Sequence, residues 1–329
     1  MREFLSKIPI PTAGVALGVV ALGSLLQPFS EIFHILCGII AACLVVLLLA
    51  KVCVHPRTVK HDFENSILAS VSATCFMAIM QLAVYIEPVV HNVAFVIWCA
   101  AIACHFALII WFTKTYILHF SLLHVFPTYF IAYVGIIVAS LTSPAFGAEA
   151  FGMGVFWFGF VCYLILLVVV TLRYIKHEVP EAARPLICIY AAPMSLSLVG
   201  YLSACDNPQP LFVAVLLAAA QLLYLFVLLV VPRLMKLNFY PSYAAMTFPF
   251  VVTALGLTKA EAFFVSIGWM LPSWIGLVEL IETLIATFMV CYVLVYYLRY
   301  FVSCVPRKEK QEQTGTCFSP YEISSIDKR

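Results

Sequence analysis

Ten long apolar runs, joined by connections whose basic charge falls on alternate loops, confine this chain to a polytopic membrane fold. The runs cover residues 12–28, 32–54, 66–86, 89–112, 124–142, 150–172, 185–204, 209–231, 241–258 and 274–302. Roughly 20 mostly apolar residues carry a helix across the hydrocarbon layer, so each run has the length of a crossing. Helices satisfy their own backbone hydrogen bonds segment by segment, as a lipid-exposed chain requires. Hydrophobic residues make up 64% of the chain and charged residues 10%, outside the range of soluble domains. The expectation is an all-α integral membrane protein of ten transmembrane helices. These form one membrane domain over residues 1–304, followed by a polar, charged tail over 305–329.

Charge sets the orientation. Of the 18 Lys and Arg residues, all but Lys259 fall in the two tails, in the connections after even-numbered runs or in the last few residues of those runs. The opposite side carries Lys259 with Glu31, Glu87, Glu149, Asp206 and Glu261. The positive-inside rule then puts both termini in the cytoplasm of a multi-pass protein of the cell membrane. The net charge of +2 gives no reason to expect a nucleic-acid partner. Arg2 and Lys7 ahead of the first run resemble a signal peptide, but Gln27-Pro28-Phe29 follows where small residues would mark cleavage. The first run is therefore read as a retained helix. Of the 12 cysteines most lie inside the runs, and no CxxC or Cys/His spacing suggests a metal. No metal, cofactor or enzyme motif is expected.

Short connections make five consecutive helical hairpins the simplest arrangement, the longest loop being the charged stretch near 52–65. Pro11, Pro127, Pro193 and Pro249 all fall in or at the start of odd-numbered runs. Proline removes a backbone donor and bends a helix, leaving polar backbone and space beside the bend. Such a backbone at membrane depth belongs next to protein or a water-filled path. Odd runs also carry small and hydroxyl residues, as in Thr12-Ala13-Gly14, Ser70/Ser72/Thr74 and Ser195/Ser197/Gly200. Even runs, above all the second, sixth and eighth, are rich in large aliphatics and suit lipid. Odd helices are accordingly read as inner and even helices as outer.

These motifs resemble the tellurite-resistance/dicarboxylate transporter family, which includes bacterial TehA and the plant slow-type anion channels. The matching pieces are Ile8-Pro9-Ile10-Pro11-Thr12-Ala13-Gly14, His124-Val125-Phe126-Pro127, Gly152-Met153-Gly154, Ala192-Pro193 and Thr247-Phe248-Pro249. The third run departs from the pattern, with Asp62-Phe63-Glu64-Asn65 where family members often carry His-Pro, and no proline inside. The resemblance implies five hairpins in quasi-five-fold arrangement around a central pore, usually in a homotrimer with one pore per protomer. It also implies a pore-blocking phenylalanine at Phe248. Pro11, Thr12, Gly14, Pro127, Pro193, Thr247 and Pro249 are then the pore-lining or helix-kink residues. The partners implied are small inorganic or organic anions, within membrane lipid.

No Lys or Arg lies at mid-membrane in an inner run, so an anion path would rest on hydroxyls, bent backbone and helix-end dipoles. A large apolar ring in such a path closes it by excluding water; the competing reading of Phe248 is a packed aromatic. Glu279 and Glu282 share one face of the tenth run and are candidates for a proton relay. His34 and His105, in even runs, are read as hydrogen-bonded packing residues. The first functional reading is an anion channel. The alternative is a secondary transporter of C4-dicarboxylate, sulfite or tellurite-type oxyanions, with proton coupling as one form of it, and a third is a membrane scaffold.

Overall fold

A computed structural model describes residues 2–305. The α-helices are α1 (Arg2–Lys7), α2 (Thr12–Leu26), α3 (Glu31–Val54), α4 (Pro56–Asp62), α5 (Ser66–Val71), α6 (Ala73–Phe112), α7 (Thr128–Val134), α8 (Val138–Thr142), α9 (Glu149–Lys176), α10 (Ala192–Ala204), α11 (Pro210–Leu234), α12 (Phe248–Ser266) and α13 (Ile275–Cys304). Short 3-10 segments, Glu181–Ala191 and Pro241–Met246, lead into α10 and α12, and another, Gly135–Ile137, joins α7 to α8. Eight described segments are long and apolar enough to cross a membrane, and α2 is a shorter apolar helix. Apart from Val305, the tail expected over 305–329 lies outside the described residues.

One of those eight segments is too long to be a single crossing. Ser66–Ile117 has 52 residues, which as a straight helix would reach about 78 Å against a hydrocarbon layer of ~30 Å. It turns back on itself. Val90 has non-helical backbone (φ −140°, ψ 62°) two residues after Pro88, and Val89 is fully in the open. The rings of Phe76 and His105 lie 6.2 Å apart, although a straight helix would separate them by about 43 Å. The boundary read between residues 86 and 89 therefore falls at a real reversal, only slightly later than its sequence position.

Burial alternates along the chain. Thr128–Phe146, Glu181–Ala204 and Pro241–Ser266 bury 72%, 78% and 61% of their most apolar stretch, whereas α3, α9, α11 and α13 bury 28–33% of theirs. Nearly all of α2 is buried as well. The exposed faces are lined with Ile39, Val46, Ile165, Val168, Leu222 and Leu229, a surface that only an apolar solvent would tolerate. That is the inner and outer division expected from small against large side chains.

The cytoplasm-facing loop expected near 52–65 is not irregular: it holds α4, with Pro56 at its first turn. Nor are all of its charges solvated. Lys51 Nζ donates to Asp62 Oδ2 and to the Ile8 carbonyl, both at 2.8 Å, and the two charged side chains are 4% and 5% exposed. Arg173 is likewise buried, capping α9 by donating to the carbonyls of His177 and Glu178, with its guanidinium 4.3 Å above the Phe126 ring. Two cations counted only as topology signals are thus structural.

Candidate functional site

Each of the five inner segments is interrupted, and at each interruption an α-helix begins. Pro11 precedes α2 and Pro127 precedes α7, each occupying the position just before the first helical residue. Pro193 and Pro249 sit in the first turns of α10 and α12. Proline suits these positions because the first amides of a helix have no intrahelical acceptor to lose.

The third segment achieves the same interruption without proline. Asn65 caps α5 by accepting from the amides of Ile67 and Leu68; α5 ends at Val71 and α6 starts at Ala73. Across this joint the hydroxyls of Ser70, Ser72 and Thr74 donate to carbonyls three or four residues back, at 2.6–3.1 Å. Such back-bonding competes with the helical ladder and bends it. Ser70/Ser72/Thr74 therefore stands where the other segments use proline, and Asn65 replaces the missing His-Pro as the helix-starting device.

Between these starts lies a cavity of about 60 Å³, room for only a few waters at ~10–15 Å³ of such volume each. Its lining includes Pro11 and Gly14 of the first segment, Thr74 and Met77 of the third, Phe130 and Val134 of the fifth. Ile189 and Pro193 of the seventh and Phe248 and Pro249 of the ninth complete the ring. No lining residue is ionisable. The two hydroxyls present are already engaged, Thr74 on Val71 and Ser242 on Ala182. The wall is thus apolar side chain punctuated by helix starts. Helix N-termini carry partial positive charge, which is the one electrostatic feature such a wall can offer a small anion.

Among the residues singled out in the sequence, Pro11, Gly14, Pro193, Phe248 and Pro249 line this cavity, and Thr12, Pro127 and Thr247 do not. Thr247 sits directly behind the lining and shapes it. Its backbone is non-helical (φ −114°, ψ −86°), and its hydroxyl is placed to donate to the carbonyls of Ala244 at 2.7 Å and Gly14 at 3.1 Å. That links the break before Phe248 to the first inner helix. Gly18 makes the approach possible, because a Cβ there would stand 2.5 Å from Thr247 Cβ and 3.1 Å from the Phe248 amide. Ser195 and Thr253 secure the neighbouring helix starts: their hydroxyls meet at 2.8 Å while contacting the Ala191 and Pro249 carbonyls respectively.

Glu279 and Glu282 lie elsewhere. Glu279 accepts from Thr258 of α12 at 2.6 Å and Glu282 from Gln221 of α11 at 3.5 Å, and neither acid lines the cavity. His105 bonds the Ala132 carbonyl at 3.0 Å, near where α7 gives way to Gly135–Ile137; His34 stacks on Tyr85 at 3.8 Å. Sequence reasoning did not find Phe130, Met77 or Gly18. For Phe130 a signal existed, since it follows Pro127 by one turn on a segment already read as inner. Met77 and Gly18 carried none beyond helical spacing.

A family model described as voltage-dependent anion channel matches residues 8–300, which takes in all five helix starts and every residue lining the cavity. No curated protein matches the chain at a significant level.

Proposed function

Because this chain belongs to the voltage-dependent anion channel family, which is the TehA-like family its motifs resemble, we propose that it is a channel passing small anions through the cavity, with Phe248 as the gate. The supporting observation is the convergence of five helix starts on an apolar cavity that no ionisable side chain lines. An anion meets partial positive charge there without a fixed cation that would hold it, which favours permeation over tight binding.

In this reading the ten crossings form five hairpins in a quasi-five-fold ring. Neighbouring inner segments are joined around it: Tyr85 to the Val20 carbonyl, Ser66 to the His124 carbonyl, Ser242 to the Ala182 carbonyl and Thr247 to the Gly14 carbonyl. The fifth and seventh segments meet through the Phe130 and Tyr190 rings. Phe248, only 6% exposed, and Phe130 across the cavity leave space too small and too apolar for a hydrated ion, which corresponds to a closed state. Both termini face the cytoplasm and protomers associate as homotrimers through outer helices, each with its own pore. The alternative, a carrier of C4-dicarboxylate, sulfite or tellurite-type oxyanions, draws no support from Glu279 and Glu282, which stand off the cavity.

Bilayer current through purified protein tests the reading. Phe248→Ala removes the ring from a cavity whose other walls are held by the hydrogen bonds above. Anion conductance, from currents that reverse at the anion Nernst potential, should rise by about tenfold or more, the factor given by a barrier lower by ~1.4 kcal/mol. Phe226→Ala, on the exposed face of α11, should leave it unchanged. A normally folded Phe248→Ala protein that conducts no better than its parent would make Phe248 a packing residue.

A further inference from the structure

On the outer surface α11 and α13 both pack on α12 but touch each other far less, leaving a cleft of about 500 Å³ between them. The corresponding space between α9 and α11 is filled: Phe212 meets Phe160, Trp157 and Phe156 with ring centroids 5.8, 6.1 and 6.5 Å away. The open cleft has Leu257 of α12 among its lining and Leu225, Leu228, Ile281 and Ile285 on its walls, with Trp274 beside it. Its volume falls within the ~300–1,000 Å³ of ordinary small-molecule sites.

One part of this apolar cleft is polar and incompletely satisfied. Glu282 is 4% exposed, and its carboxyl accepts a long 3.5 Å contact from Gln221. The Tyr224 hydroxyl, on a side chain 2% exposed, has no hydrogen-bond partner among the described residues. Of the neighbouring acids, Glu279 accepts from Thr258 and the Glu261 Oε2 is buried with no hydrogen-bond partner among the described residues. Among the described residues no ion pair links any of these three acids to a cation; the nearby Lys259 donates to Ser203 instead. An unpaired buried polar group is costly, so the cleft favours a ligand that brings hydrogen-bond donors and positive charge on an apolar body.

We propose that this cleft binds a single-chain amphiphile with an ammonium head, taken up sideways from the bilayer. The head sits against Glu282 and Tyr224, and the chain lies along Leu225, Leu228, Ile281 and Ile285. Glu282, the acid that lines the cleft, explains the sign of the head, and the aliphatic walls explain the chain. Glu282, first considered for a proton relay, becomes the recognition residue of a lateral site on the helix that begins with Phe248. The site does not depend on whether the cavity conducts, because its test reads binding alone.

The full-length protein in detergent micelles is titrated with a bromoalkylamine of about a dozen carbons, and tryptophan fluorescence is followed. Bromine quenches on contact, and Trp274 borders the cleft. The amine should quench saturably, and Trp274→Phe should abolish the saturable part. The bromoalkyl alcohol and bromoalkyl acid of equal chain length should quench only in proportion to their micellar concentration. Glu282→Gln should weaken amine binding tenfold or more, Tyr224→Phe severalfold, and Leu225→Phe should fill the cleft and block it. Saturable quenching that is equal for all three head groups, or unmoved by both Glu282→Gln and Tyr224→Phe, overturns the proposal, as does amine quenching that never saturates. Should Glu282→Gln fail to fold, Tyr224→Phe and Leu225→Phe decide by the same criteria.

Discussion

Replacing Lys51 by Met isolates what the buried ion pair contributes to the chain's first inner segment. Lys51 and Asp62 meet at 2.8 Å with side chains 4% and 5% exposed, and Lys51 also holds the Ile8 carbonyl. At that distance, with an effective dielectric of about 20, the Coulomb term is roughly 6 kcal/mol. Much of it offsets the cost of taking two charges out of water. The change therefore does not forfeit the whole term; it strands Asp62 as an uncompensated buried charge and frees the Ile8 carbonyl. A loss of about 3–5 kcal/mol is expected. Lys51→Met combined with Asp62→Leu removes both charges and should recover most of that loss. The assay is equilibrium unfolding in mixed micelles, run as a double-mutant cycle. A single variant that loses less than ~1 kcal/mol would mean the pair behaves as a solvated surface bridge. A double variant no better than Lys51→Met would show that the cost came from lost packing and not from the stranded charge. Either result would refute the reasoning.

Gly18→Ala should cost about 1–3 kcal/mol by overpacking and alter anion conductance, because its Cβ would press on Thr247 and the Phe248 amide; unchanged stability and current would contradict that contact. Thr253→Val should lower stability by only about 1 kcal/mol, since Ser195 keeps its bond to Ala191, as unfolding in mixed micelles will report. Tags at either terminus should resist external protease in intact cells, and cleavage of one would overturn the orientation drawn from the basic residues. Mass measurement of the solubilised protein should give a trimer, and a monomer at every concentration would exclude it.

Much of the fold was legible because a bilayer narrows the choices. An apolar run of twenty residues has to be helical there, so the crossings followed from run length without knowledge of any contact. The inner and outer division was legible too, since small and hydroxyl residues allow close helix approach while large aliphatics face lipid. Local chemistry marked four of the five interruptions through proline. The fifth was written in Ser70/Ser72/Thr74 and became readable only once their hydroxyls were seen bonding backward.

What tertiary structure alone decided is which of these residues meet. Pairings such as Lys51 with Asp62, Gly18 with Thr247 or Ser195 with Thr253 join residues on different helices, and helical periodicity carries no information about a neighbour's register. The same holds for the acids. Glu279 and Glu282 share a face of α13 by spacing, but whether that face meets the cavity or the lipid depends on the rotation of α13 about its own axis. Packing against α12 fixes that rotation. It turns Glu282 toward Gln221 and Tyr224 in the cleft beside α11, while Phe248, one helix away, lines the cavity.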